Sequence, residues 1–227
     1  MRITTVFFDF GGTLAHTTST RAGVVQRSLA KLGHDFSLEA IEPALEAGRA
    51  WQREHQDEFG YDWPRRSGFY VNYYAAVARA LGLADDAAVG RHLWDTQDDT
   101  YALFPETAAA LENLSAGGYK MGVISNWDKL NLVPTCESLG IARHFQVMLP
   151  SAEAEADKPD PAIFHMALQR IGSEAGESMM VGDSYTADVE GSQAVGMTGV
   201  LVARGGPWNG PECIVVRGLD EVPARLS

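Results

Sequence analysis

The sequence predicts an α/β fold, a doubly wound parallel sheet with a helical block inserted near its start. Three observations carry this. The run Val6-Phe7-Phe8 is apolar without alternation and stops at Asp9-Phe10-Gly11-Gly12-Thr13-Leu14, as a strand buried on both faces does on reaching a ligand-bearing edge. From Phe104 onward, short apolar runs alternate with helical periodicity, the pattern of successive strand–helix units. Between these regions, residues 16–100 carry helical periodicity and no convincing strand. The expected division is therefore a core of residues 1–15 and 101–227 and a helical unit of residues 16–100.

Residues 3–8 form the first strand, and the polar stretch 14–20 is a connector. Val25, Leu29 and Leu32 then share one helical face. Ile41, Ala44, Leu45 and Gly48 share a second, with Ser37 as N-cap. Tyr70, Tyr73, Tyr74, Val77 and Leu81 make an aromatic stripe on a third helix, read as core packing, and Val89, Leu93 and Trp94 mark a fourth. In the second half, Pro105 suits the first turn of a helix that Gly117-Gly118 ends. Lys120–Ile124 is a buried strand ending in Ser125-Asn126. A helix is expected over 128–139, with Pro134 kinking it or marking its real start. Phe145–Leu149 is a short strand, and 151–157 a polar loop leading to Lys158. Asp160 and Pro161 open a helix whose apolar face is Ile163, Phe164, Ala167, Leu168 and Ile171. Ser178–Val181 is a strand ending in Gly182-Asp183-Ser184, and a helix follows to Val195. Residues 199–203 and 214–216 are the last strands, and 218–226 a terminal helix.

The totals exclude several classes. At 227 residues the chain is one large domain or a core with an insertion, and its net charge of −12 argues against nonspecific nucleic-acid binding and against an anionic membrane surface. No apolar segment approaches the ~20 residues that cross a bilayer. The chain enters a strand almost at once, leaving no room for a signal peptide, and Cys136 and Cys213 read as free thiols of a reducing, cytoplasmic compartment.

Three strands thus end in polar groups: Asp9, Ser125-Asn126 and Asp183. In a parallel sheet these ends lie along one edge. Lys158 falls in a loop on that edge, and Asp188 in the first turn after Asp183. Carboxylates, a hydroxyl and a lysine converging there suit phosphate chemistry, with a hard dication such as Mg2+ held by one or two carboxylates and several waters. Lysine and metal would neutralise the phosphoryl oxygens, and backbone amides and Ser125 would cradle them.

With these residues in place, the chain resembles the haloacid dehalogenase-like hydrolase superfamily. Asp9-x-Gly11-Gly12-Thr13 is similar to its first motif, Ser125 to its second, Lys158 to its third, and Gly182-Asp183-Ser184 with Asp188 to its fourth, in order over the whole chain. The resemblance implies a Rossmann-like core, with residues 16–100 as a C1-type cap that closes over the site and selects substrate. It implies that Asp9 is the nucleophile and forms an aspartyl phosphate. Lys158 would hold nucleophile and phosphate together, and Gly12, Ser125 and Asn126 would bind the phosphate. Asp9, the Gly11 carbonyl and Asp183 would hold Mg2+. Thr13 and Asp188 would stand behind them, Asp188 orienting Lys158 or serving the metal's outer shell. The implied substrate is a small phosphorylated metabolite, and the implied assembly a monomer or a homodimer.

The match breaks at Gly11, where phosphatases of the family usually carry a second aspartate as general acid and base. General acid–base help is worth ~10²–10⁴-fold. Substrates with good leaving groups would need no acid, or His16 in the connector would stand in. Otherwise the chain would be an impaired member that binds a phosphorylated ligand or acts as a scaffold. The same gap raises a metal-independent 2-haloacid dehalogenase, against which Asp183 argues, and a phosphonatase, whose cap lysine would have to be Lys31. In the cap, Arg65 and Arg66, flanked by Tyr61 and Trp63, are candidates for the distal part of the substrate.

Overall fold

A computed structural model describes residues 2–58, 63–97, 100–127 and 131–226. It divides into two compact units, Met1–His16 with Tyr101–Ser227, and Thr17–Thr100.

The first unit is built on a six-stranded sheet. Its strands are β1 (Thr5–Phe8), β4 (Lys120–Ser125), β5 (Val147–Pro150), β6 (Ser178–Gly182), β7 (Thr198–Val202) and β8 (Ile214–Val216), in the spatial order β5-β4-β1-β6-β7-β8. Every pairing among them is parallel. The first strand is central: Phe8 lies beside Val123 on one side and Val181 on the other. All four residues of β1 are buried, as its unbroken apolar run requires. Alternation sends their side chains to opposite faces. Val6 and Phe8 join the layer of α5 (Thr107–Ala116) and α6 (Leu132–Ser138), through Leu111, Leu114, Leu132 and Cys136. Phe7 joins the layer of α8 (Pro161–Ile171), through Ile163, Phe164 and Ala167. Helices thus cover both faces. The chain leaves β1 in one direction for β4 and β5 and resumes at β6 on the other side, so the strand order reverses between β1 and β6. Open α/β sheets bind their ligands outside the carboxyl ends of the strands at such a reversal.

The second unit is helical: α1 (Arg21–Lys31), α2 (Leu38–Glu54), α3 (Trp63–Ala80) and α4 (Asp86–Asp95) enclose a separate core of Val25, Leu29, Ile41, Leu45, Tyr74, Val77, Leu93 and Trp94. The expected second face is buried throughout, Ile41, Ala44, Leu45 and Gly48.

Several local expectations need correction. The connector 14–20 contains a strand, β2 (Ala15–Thr17), which pairs with β3 (Tyr101–Leu103) as a separate ribbon. Three residues are too few for a periodicity to register. Leu32 is exposed, because α1 ends at Lys31. Pro105 precedes α5, whose N-cap is Glu106. Of the helix expected over 128–139, the described part is α6, with Pro134 in its first turn, and residues 128–130 lie outside the described residues. The polar loop 151–157 begins with one turn of helix, α7 (Ser151–Ala154). The helix after Ser184 opens as a π-helical stretch, Tyr185–Glu190, and becomes α-helical only at α9 (Gly191–Ala194). The terminal helix is of 3-10 type, Leu219–Arg225.

Candidate active site

Lys158 is the centre of the polar groups at the carboxyl edge. It is 4% exposed, and its ammonium donates to Asp9 Oδ1 at 2.7 Å, Asp188 Oδ1 at 2.6 Å and the Ile124 carbonyl at 2.7 Å. Three donors meet three acceptors, so the buried cation is fully satisfied. Burial works against its charge, and Asp9 and Asp188 outweigh burial, holding the ammonium's pKa above its ordinary value. The backbone of Lys158 is gripped as well: its N–H donates to Asn126 Oδ1 at 2.7 Å and its carbonyl accepts from Asn126 Nδ2 at 2.9 Å. Asn126, expected at the phosphate, thus uses its amide to place Lys158.

Asp9 follows β1 directly, and its N–H donates to the Val181 carbonyl. Burial raises its carboxyl pKa to about 6; Lys158 opposes this, and the charges of Asp188 and Asp183 add to it. Both oxygens of Asp188 are engaged, one by Lys158 and the other by the Ser184 N–H at 2.9 Å. Asp183 is exposed, and its carboxyl is also raised, by burial of part of the group first and by Asp188 second. One oxygen from each of Asp9, Asp183 and Asp188 falls within 4.8 Å of the others.

Two glycines make this approach possible. Gly12 has φ +75°, and a Cβ on it would stand 2.2 Å from Asp183 Oδ2. A Cβ on Gly182 would stand 2.1 Å from the Asp188 carboxyl carbon. Gly11 differs: it meets nothing within 4 Å and its φ is not left-handed. In the turn itself, Gly12 N–H donates to the Ala15 carbonyl at 2.8 Å. A planar trans peptide sends the Gly11 carbonyl the opposite way. Among the described residues, the N–H groups of Phe10, Gly11 and Thr13 and the hydroxyl of Ser125 carry no hydrogen bond. The Thr13 hydroxyl is buried and likewise unpartnered. Ser125 is the last residue of β4 and 3% exposed.

The arrangement offers an ionisable buried carboxylate, a cation that fixes one of its oxygens, and spare amides beside it. It also carries more carboxylates than its one lysine neutralises. That all-oxygen set fits a hard dication.

A family model described as haloacid dehalogenase-like hydrolase matches residues 3–196. The chain belongs to the haloacid dehalogenase-like hydrolases. The "Haloacid dehalogenase-like hydrolase domain-containing protein 3" of Danio rerio is 35% identical to this family member over 133 residues, 57% of this chain and 54% of that protein. The chain thus spans about half the length of that relative. A "Ribulose-1,5-bisphosphate 5-phosphatase" of Halopiger xanaduensis is 29% identical over 211 residues, 87% of this chain and 84% of that protein. The crystal structure of a 2-haloacid dehalogenase from Pseudomonas syringae pv. Tomato shares the fold, with a TM-score of 0.73 at 24% identity over 99% of this chain and 100% of that one.

In this family member the remaining candidates lie on other elements. His16 is exposed on β2, its ring 5.1 Å from that of Phe104. Lys31 is exposed at the end of α1. Arg65 and Arg66 lie in α3 by their backbone, and their side chains, like residues 59–62, lie outside the described residues. Reading the sequence missed the Ile124 carbonyl, which no sequence signal marks. It also missed the need for Gly182, for which the glycine immediately before Asp183 was the available sign.

Proposed function

We propose that the protein is a Mg2+-dependent phosphohydrolase for a small phosphorylated metabolite, with Asp9 as nucleophile. The observation that carries this is the buried ammonium of Lys158 bonded at once to Asp9 and Asp188. The phosphatase relative supports it.

Lys158 holds Asp9 Oδ1 and turns the carboxylate toward an incoming phosphoryl group. The carboxylate attacks phosphorus, the bond to the leaving oxygen breaks, and an aspartyl phosphate forms on Asp9. Water then attacks that acyl phosphate, inorganic phosphate departs, and the Asp9 carboxylate is restored. The spare N–H groups of Phe10, Gly11 and Thr13 and the Ser125 hydroxyl receive the phosphoryl oxygens. Mg2+ would be held by Asp9, Asp183 and the Gly11 carbonyl, with Asp188 beside them on Lys158 and the Ser184 N–H, and it would neutralise charge on the phosphoryl group. Asp188 orients Lys158, and Thr13 stands behind the nucleophile. The helical unit 17–100 is the candidate cap.

Gly11 offers no proton to the leaving group, so acyl and aryl phosphates are the favoured substrates. The same glycine supports a second reading, a ligand-binding member with negligible turnover. A hydrolysis screen over alkyl, aryl and acyl phosphates, with and without Mg2+ and beside Asp9→Asn, separates the two. Turnover that needs both Mg2+ and Asp9 is the expected result. Saturable phosphate binding without turnover would overturn it in favour of the binder.

A further inference from the structure

We infer that Arg204, braced by Glu106, is a positioning residue that orients the Gly11–Thr13 turn toward the substrate anion. The inference rests on the phosphohydrolase reading. Arg204 lies two residues beyond the end of β7, on the same carboxyl edge as Asp9 and Asp183. Its guanidinium donates from Nε to the Gly12 carbonyl at 3.3 Å and from Nη2 to the Thr13 carbonyl at 2.9 Å. Nη1 donates to Glu106 Oε1 at 2.5 Å, and the guanidinium carbon lies 3.6 Å from the centre of the Phe104 ring. Glu106 is itself anchored as the residue before α5 and receives a longer bond from the Leu219 N–H at 3.5 Å.

A planar fork serving two successive carbonyls and one carboxylate cannot be replaced by a point charge. Its effect on the turn follows from peptide geometry. The Gly12 carbonyl faces the guanidinium, so the N–H of the same planar peptide, that of Thr13, faces away from it. That N–H has no partner among the described residues. Arg204 therefore holds an amide in the orientation an anion can use. It also fixes Gly12, against which Asp183 is packed so closely that no Cβ would fit. Arg204 acts through the backbone, at the carbonyls, on the side of the turn opposite the free amide.

The test compares wild type, Arg204→Met, Arg204→Lys and Glu106→Gln in steady-state hydrolysis of para-nitrophenyl phosphate, in inhibition by inorganic phosphate, and in thermal unfolding. A misplaced binding group costs on the order of 10²-fold in rate. Arg204→Met is expected to lower kcat by ~10–100-fold and to weaken phosphate inhibition several-fold, at temperatures where it is fully folded. Arg204→Lys keeps the charge but not the fork and should recover only a small part of the loss. Glu106→Gln should fall in between. If Arg204→Met does not fold, the lysine and glutamine variants carry the comparison. Unchanged kcat and phosphate inhibition in folded variants would overturn the inference, as would full recovery in Arg204→Lys, which would leave only a charge effect. If wild type shows no turnover, the phosphohydrolase reading fails separately, and calorimetric phosphate binding decides the role of Arg204. Weaker binding by Arg204→Met then supports it, and equal or absent binding overturns it.

Discussion

At Asp9, burial opposes the charge that the proposed nucleophilic role requires. Its folded carboxyl titrates at about 6, above the ordinary aspartate value, because burial disfavours its charge more than Lys158 favours it. Between about pH 4 and pH 6 the folded chain therefore holds a proton that the unfolded chain has released. Stability from this site is fully present below that window and is lost as pH rises through it. Asp9→Asn should abolish turnover and, in the absence of divalent cations, raise the Tm at pH 7.5, with the gain fading below about pH 5. Thermal unfolding across pH checks this, and a lower Tm at pH 7.5 would mean that the bond to Lys158 outweighs burial. Gly11 poses the opposite case, since space and backbone both admit a side chain. Gly11→Asp should fold with stability within about 0.5 kcal/mol of wild type. Its rate on alkyl phosphates should rise toward the ~10²-fold that general acid help supplies, with little change on acyl phosphates. Equal rates on both would show that another group already donates the proton.

At the scale of elements, the site is made by strand ends and the turns that follow them. Asp188 reaches Lys158 from the π-helical stretch after β6 only because position 182 has no Cβ. Gly182→Ala should cost about 1–3 kcal/mol and nearly all turnover. Gly122→Ala is the control: its Cβ would stand 2.7 Å from the Phe7 ring within the sheet, three residues before the end of β4. It should cost similar stability while the folded fraction keeps most of its turnover. Chemical denaturation with activity normalised to folded protein separates the two, and equal losses of specific activity would show that Gly182 has no special relation to the site. The regular parts of these elements were legible in the sequence. The buried run of β1, the Asp160–Pro161 start of α8 and the face Ile41, Ala44, Leu45 and Gly48 each repeat one period long enough to read. The ribbon of β2 and β3 was not, because three-residue strands far apart in sequence are defined only by each other.

For the whole molecule, charge and topology act together. The sheet order reverses between β1 and β6, and the carboxylates of Asp9 and Asp183 meet there in a chain whose net charge is already −12. Binding of a divalent cation by the folded state alone should stabilise it by about 1.4 kcal/mol at tenfold over Kd. A calorimetric scan should therefore show a higher Tm in Mg2+ for wild type and a much smaller shift for Asp183→Asn, with EDTA removing turnover. Equal shifts in both proteins would place the cation elsewhere. The α/β class and most of the regular strands and helices were legible in the residues, and Asp9, Ser125, Lys158, Asp183 and Asp188 stood out as candidates, because strand ends and turns are local patterns of residue type. Which partners those groups take is a matter of the folded chain alone. That Asn126 grips the backbone of Lys158, that Asp188 joins Lys158 to the Ser184 N–H, and that Arg204 reaches across 191 residues to the Thr13 carbonyl are properties that the folded chain brings together. Hydrogen bonds between such partners leave no periodicity in the sequence, since they are set by how the sheet brings its edges together.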